Sequence, residues 1–90
     1  MPNPTEGRIV LYRLSEQDTR QIIQHRAHNG LSGNTVREGD VCPAVIVRIW
    51  DGEPYAAPNL KVLLDGQDNH WAPSRHEGDG PGTWSWPVRA

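Results

Sequence analysis

The sequence predicts an α+β fold in the order β-α-β-β-β-β. It takes the form of a small SH3-like β-barrel or a strongly curled antiparallel sheet, with one helix after the first strand. Three observations lead there. GRIVLYRL (7–14) is rich in β-branched and aromatic residues and runs straight into a capped polar helix. VCPAVIVRIW (41–50) is the strongest strand pattern in the chain. Everything after it is short apolar segments punctuated by Asp-Gly, Asp-Asn and Gly-Pro turns.

Residues 1–6, with two prolines and no apolar pattern, read as a flexible N-terminal tail, and 7–90 as a single small domain. In the first strand Ile9 and Leu11 share one face while Val10, Tyr12 and Leu14 share the other, so both faces are expected to be covered. Ser15 followed by Asp18 forms a variant capping box, and Glu16 and Asp18 suit the positive end of the helix dipole. The helix is expected from about Glu16 to His28, stopping at Asn29-Gly30, where glycine takes the left-handed conformation without a Cβ clash. Its apolar stripe is thin: Thr19, Ile22, Ile23 and Ala27. Such a helix lies on a sheet rather than forming a core alone.

LSGNTVREGD (31–40) is turn chemistry throughout and suits a long connection back to the sheet. In the second strand Val41, Val45, Val47 and Ile49 alternate with Cys42, Ala44 and Ile46, the apolar centre implies burial on both sides, and Pro43 places its start at an edge or bulge. DGEPYAAPN (51–59) is a connecting loop, and Leu60, Val62 and Leu64 share a face of the next strand, giving a hairpin. His70 to Ala72 is a brief strand, and Thr83 to Val88 a last one with Trp84 and Trp86 on one face.

Composition bounds the function. Ninety residues form one small core, and four Trp and two Tyr supply the bulky surface that Phe does not. The net charge of −2 and pI near 6.0 speak against a broad nucleic-acid footprint, so nucleic acid is the less favoured partner. A single cysteine, Cys42, permits no internal disulfide and no thiolate pair for zinc; a thiol ahead of Pro43 on a buried face is expected to stay protonated and structural. The longest apolar run, AVIV (44–47), is far short of the ~20 residues of a membrane span. MPNPTEGR has neither a basic nor an apolar leader region, so the cytoplasm is the expected location and no membrane is expected as partner.

The stretch SRHEGDGPGTWSW (74–86) concentrates chemistry. Arg75 and His76 are cationic donors, Asp79 is an acceptor, Gly80 and Gly82 let an anion approach the backbone, and Trp71 and Trp84 offer stacking faces. These seven residues are the candidate site for a ligand or partner. The competing reading is a tight turn in which Arg75 pairs with Glu77 or Asp79 and the tryptophans complete the core. No Walker lysine follows the glycines and no strand-GxGxxG-helix order surrounds them. Asp65, Asp68, His70, His76, Glu77 and Asp79 have no spacing that favours hydrolysis, and His25 and His28 make only half a metal clamp. No catalytic residue, metal or cofactor is therefore expected. Basic residues are mostly Arg, which suits planar contacts at an interface.

GRIVLYRL (7–14), GDVCPAVIVRIW (39–50), LDGQDNHW (64–71) and SRHEGDGPGTWSWP (74–87) together resemble a family of small proteins encoded by phages and prophages of actinobacteria and other bacteria. The chain departs from that pattern with a shorter loop at Asn29 to Thr35 and with Ser85 where His is common. The resemblance implies a phage-borne accessory protein acting in the host cytoplasm, neither a virion shell component nor a polymerase, and it brings no activity with it. The expected function is binding: first, a host-directed protein–protein interaction module. Second comes a binder of a small anionic, nucleotide-like ligand that counters host defence, and third a nucleic-acid-binding small barrel.

Overall fold

The computed structural model describes residues 3–50 and 57–88. The order of elements is the expected one: β1 (Ile9–Arg13), α1 (Glu16–Asn29), β2 (Val41–Arg48), β3 (Asn59–Leu63), β4 (Asn69–Ala72) and β5 (Trp84–Ser85). All strand pairs are antiparallel, in the order β4-β3-β2-β1-β5. The fold of the described residues is thus α+β, with one helix and a five-stranded sheet. It is not closed into a barrel, because β4 and β5 lie at opposite ends of the sheet and have only four and two residues to offer each other.

The helix begins and ends as its sequence dictates. The Ser15 side chain accepts from the Asp18 N–H, and the Asp18 side chain accepts from the Ser15 N–H, completing the capping box. Gly30 closes the other end at φ 64°, and Arg26 and His28 in the last turn meet the negative end of the dipole. The stripe is thinner still than expected: Thr19 and Ile22 are buried, whereas Ile23 is 55% exposed and Ala27 is exposed.

That thin stripe decides the layering. Val10, Tyr12, Leu14, Ala44, Ile46, Leu60, Val62, Ala72 and Trp84 form one buried set, and Ile22 is the helix's contribution to it. A helix of this kind covers one face of a sheet and no more. The expectation that β1 and β2 are buried on both sides is therefore corrected: Ile9, Val41 and Val47 are each about half exposed on the face away from the helix. Pro43 sits in the central strand opposite Leu11, but β3 pairs with β2 only from Ala44 onward, so the start of β2 has an open side. A register shift between Ile46 and Arg48 marks the other end.

Loops are tied to the sheet by backbone hydrogen bonds. Leu14 donates to the Asp40 carbonyl and accepts from the Gly39 N–H, at 2.9 and 2.7 Å, which returns the long connection to β1. The Glu6 carboxylate accepts from the Ile49 N–H at 2.9 Å, joining the N-terminal segment to the end of β2. The reading of 51–59 as a loop lies for the most part outside the described residues.

Candidate functional site

The seven residues singled out from sequence do not converge. Trp84 is 2% exposed, its indole N–H donates to the Arg75 carbonyl at 2.9 Å, and its ring meets Trp86 edge-on at 5.4 Å. It is a core residue. His76, Asp79 and Gly80 are exposed, and among the described residues neither the His76 nor the Asp79 side chain forms a hydrogen bond. The Gly80 carbonyl accepts from the N–H and hydroxyl of Thr83, and of Gly78, Gly80 and Gly82 only Gly82 takes a positive φ, at 81°. The glycines therefore build a turn that delivers Trp84 to β5. Trp71 lies apart on β4, 55% exposed.

Arg75 turns inward, and its partner is neither Glu77 nor Asp79. Its guanidinium lies 6.0 Å over the Tyr12 ring and reaches the Asp18 carboxylate at 3.4 Å. Asp18 is fully buried and collects donors from four directions. Oδ2 accepts from the Ser15 N–H at 2.9 Å and from the Tyr12 hydroxyl; Oδ1 accepts from His70 Nε2 at 2.9 Å and from Arg75. Burial alone would raise the pKa of this carboxyl, but the bonds from His70, Tyr12 and Ser15 hold it well below the usual carboxylate range. Tyr12 is pushed the other way, first by burial and then by the adjacent carboxylate. Because four donors fill the lone-pair positions of Asp18, it has none left with which to take a proton from a substrate. The cluster is a structural junction of β1, α1, β4 and the terminal loop. Its capping half was legible in Ser15 and Asp18; its burial was not, since a buried and a solvated first-turn aspartate look alike in sequence.

A second junction holds the other end of the helix. Arg26 makes two parallel bonds to the Asp68 carboxylate, at 2.9 and 3.1 Å, and a third to the Asn34 carbonyl at 2.7 Å. Both side chains of the pair are nearly buried. Gly33 and Gly66 pack beside the guanidinium, where a Cβ on either would come closer than 3.0 Å to existing atoms. No group of three or more His, Cys, Asp or Glu placed to hold a metal ion exists among the described residues, and His25 faces Asn29 rather than a third ligand. Cys42 is half-buried, its pKa raised by desolvation and by Asp40, which keeps the thiol protonated.

Among the described residues two open surfaces bear on the site. The sheet face away from the helix carries Ile9, Leu11, Val41, Pro43, Val45, Val47, Leu63 and Trp71; Val41, Val47, Leu63, Ile9 and Trp71 are between 42% and 55% exposed. By strand alternation Lys61 and Arg13 stand on the same face, Lys61 directly opposite Trp71. At the β4 end of the sheet a cleft of about 400 Å³ opens between α1 and the strands, lined by Ile22, His25, Lys61, Asp68, His70 and Trp71 among others. No helix of the described residues is long and apolar enough to cross a membrane. No family model, curated protein or solved structure matches the chain.

Proposed function

We propose that this protein is a non-enzymatic binding module, a phage or prophage accessory protein that engages a host protein through the uncovered face of its sheet. A single observation carries the reading: five large apolar side chains stand about half exposed on one continuous face. Scattered surface apolar residues are ordinary, but a contiguous set on a flat sheet is a feature of interaction sites. Trp71 and Arg13 at its margin, and Lys61 between Trp71 and Val45, are of the types that anchor or steer association.

A nucleotide-like ligand at the terminal loop finds less support, since Trp84 is in the core and Arg75 is engaged by Asp18. Nucleic acid is disfavoured by the net charge of −2.

The test is crosslinking of the protein in host cells, in parallel with a Val47→Glu, Leu63→Glu double variant. Both positions are nearly half exposed, on the face away from the core, so the variant is expected to fold as the parent does. Loss of a stoichiometric crosslink in the variant supports the reading. Crosslinks that persist undiminished, or no protein crosslink with the parent, overturn it.

A further inference from the structure

We propose that β4 is a docking edge: a partner protein adds a short extended segment to it as a sixth strand, with apolar and acidic residues in alternation. The inference rests on the reading of the chain as a protein-binding module and names the place and chemistry of contact.

The two edges of the sheet are unlike. At β5 the free side is already filled, because the Trp84 N–H donates to the His76 carbonyl at 3.2 Å and its carbonyl accepts from the Gly78 N–H at 2.9 Å. At β4 nothing comparable occurs. Among the described residues no hydrogen bond outside the ladder with β3 reaches the backbone of Asn69–Ala72. An open row of N–H and C=O groups is a template for another strand.

The cleft lies along this same edge and is lined from both sides of it. Trp71 and Lys61 belong to the outer face, whereas Ile22 and His25 come from the helix and His70 from the core-facing side of β4. A hollow that straddles an edge strand is the space an added strand fills, since its side chains point alternately to the two faces.

The charges select the occupant. Asp68 is the carboxylate of the lining, and Arg26 holds it in a bidentate pair that leaves no net charge for a ligand. Lys61, on the outer face, remains as an unpaired ammonium among the described residues. Ile22 and Trp71 supply the apolar surface. The complement is an extended segment whose carboxylates point to the outer face, toward Lys61, and whose apolar side chains point to the helix side, toward Ile22. A second copy of this chain would instead bring its own β4, Asn69-His70-Trp71-Ala72, which has no carboxylate to meet Lys61. Pro73, which has no N–H, follows β4 directly, so the ladder ends there and the docked stretch is short.

The experiment is an amide NMR titration of the 15N-labelled full chain with three end-blocked peptides. One alternates valine and aspartate, one has lysine in place of aspartate, and one is the first peptide N-methylated at alternate residues. The expected result is shifts concentrated at Asn69–Ala72 and the Trp71 indole, with slowed hydrogen exchange in β4. The lysine peptide should bind about tenfold more weakly or worse, as should the first peptide to the Lys61→Glu variant. The methylated peptide should not bind. Absence of β4 shifts at millimolar peptide overturns the proposal. Equal binding of the lysine or methylated peptide does so too, as does self-association of the free chain through β4. Strand addition fails alone if the host crosslink is lost in the Val47→Glu, Leu63→Glu variant while β4 stays unperturbed; both readings fail if no host partner is found either.

Discussion

Asp18 and His70 stand 52 positions apart and are joined by a 2.9 Å hydrogen bond from the imidazole Nε2 to a fully buried carboxylate. The first turn of the helix is thereby fastened to the edge strand of the sheet. Because Asp18 is ionised, Nε2 carries the proton, and the ring is held in one orientation with its other nitrogen free of the bond. Tyr12 and Arg75 converge on the same carboxylate, so one side chain connects four separate pieces of chain.

Removing that side chain is expected to cost far more than removing a surface charge. Asp18→Ala strands the Tyr12 hydroxyl, the His70 ring and the Arg75 guanidinium, a loss of about 3–5 kcal/mol in urea unfolding. The exposed Glu16–Arg20 pair, screened by solvent, is the control: Arg20→Ala should change stability by about 0.5 kcal/mol or less.

Acid should unfold the protein through the same group. The pKa of Asp18 is lower in the fold than in the open chain, so its contribution is complete at neutral pH. It begins to fade as pH falls below the unfolded value of about 3.9 and is gone once pH passes the lower folded value. Tyr12 has the opposite sign: raised in the fold, its contribution holds below about pH 10 and is lost above it. Unfolding free energy measured against pH should therefore fall at both ends. In Asp18→Asn the acid limb should flatten.

The Arg26 junction predicts an ordering of two glycine substitutions. A Cβ at Gly66 would stand 2.6 Å from the Gly33 backbone, which cannot step aside without moving the loop. A Cβ at Gly33 meets the end of the Arg26 side chain, which can swing away at the expense of its bonds to Asp68. Gly66→Ala should cost about 1–3 kcal/mol. Gly33→Ala should cost at least as much, about 3–5 kcal/mol, because it leaves the nearly buried Asp68 carboxylate without its partner, and its thermal denaturation midpoint should lie at or below that of Gly66→Ala.

The tryptophans should separate by environment. Trp84→Ala removes a core ring and should cost about 3–5 kcal/mol. Trp71→Ala, at an exposed edge position, should stay within about 0.5 kcal/mol in the same assay. A large cost at Trp71 would mean that β4 depends on this side chain for its own stability.

Much of the local structure was written in local signals. Ser15, Asp18 and Gly30 bounded the helix because a cap acts within a few residues of itself. Val10, Tyr12 and Leu14, then Ala44 and Ile46, separated from their neighbours by alternation, and these are the buried sets. The terminal loop was legible only as a pair of alternatives, ligand loop or turn. Its glycines fit both, and the difference lies in whether Trp84 points inward.

The sequence by itself determined the order of elements, the ends of the helix and the partition of each strand into two faces, because those depend on neighbours two to four residues away. Tertiary structure alone decided which face is covered. Both faces of β1 and β2 are apolar enough to bury, but the single helix offers one thin stripe and can seal only one of them. It also decided that Asp18 is buried, that Arg75 answers it, and that among the described residues β4 is left open while β5 is closed. Those outcomes need partners 57 and 52 residues distant, and no pattern within a strand or helix records them.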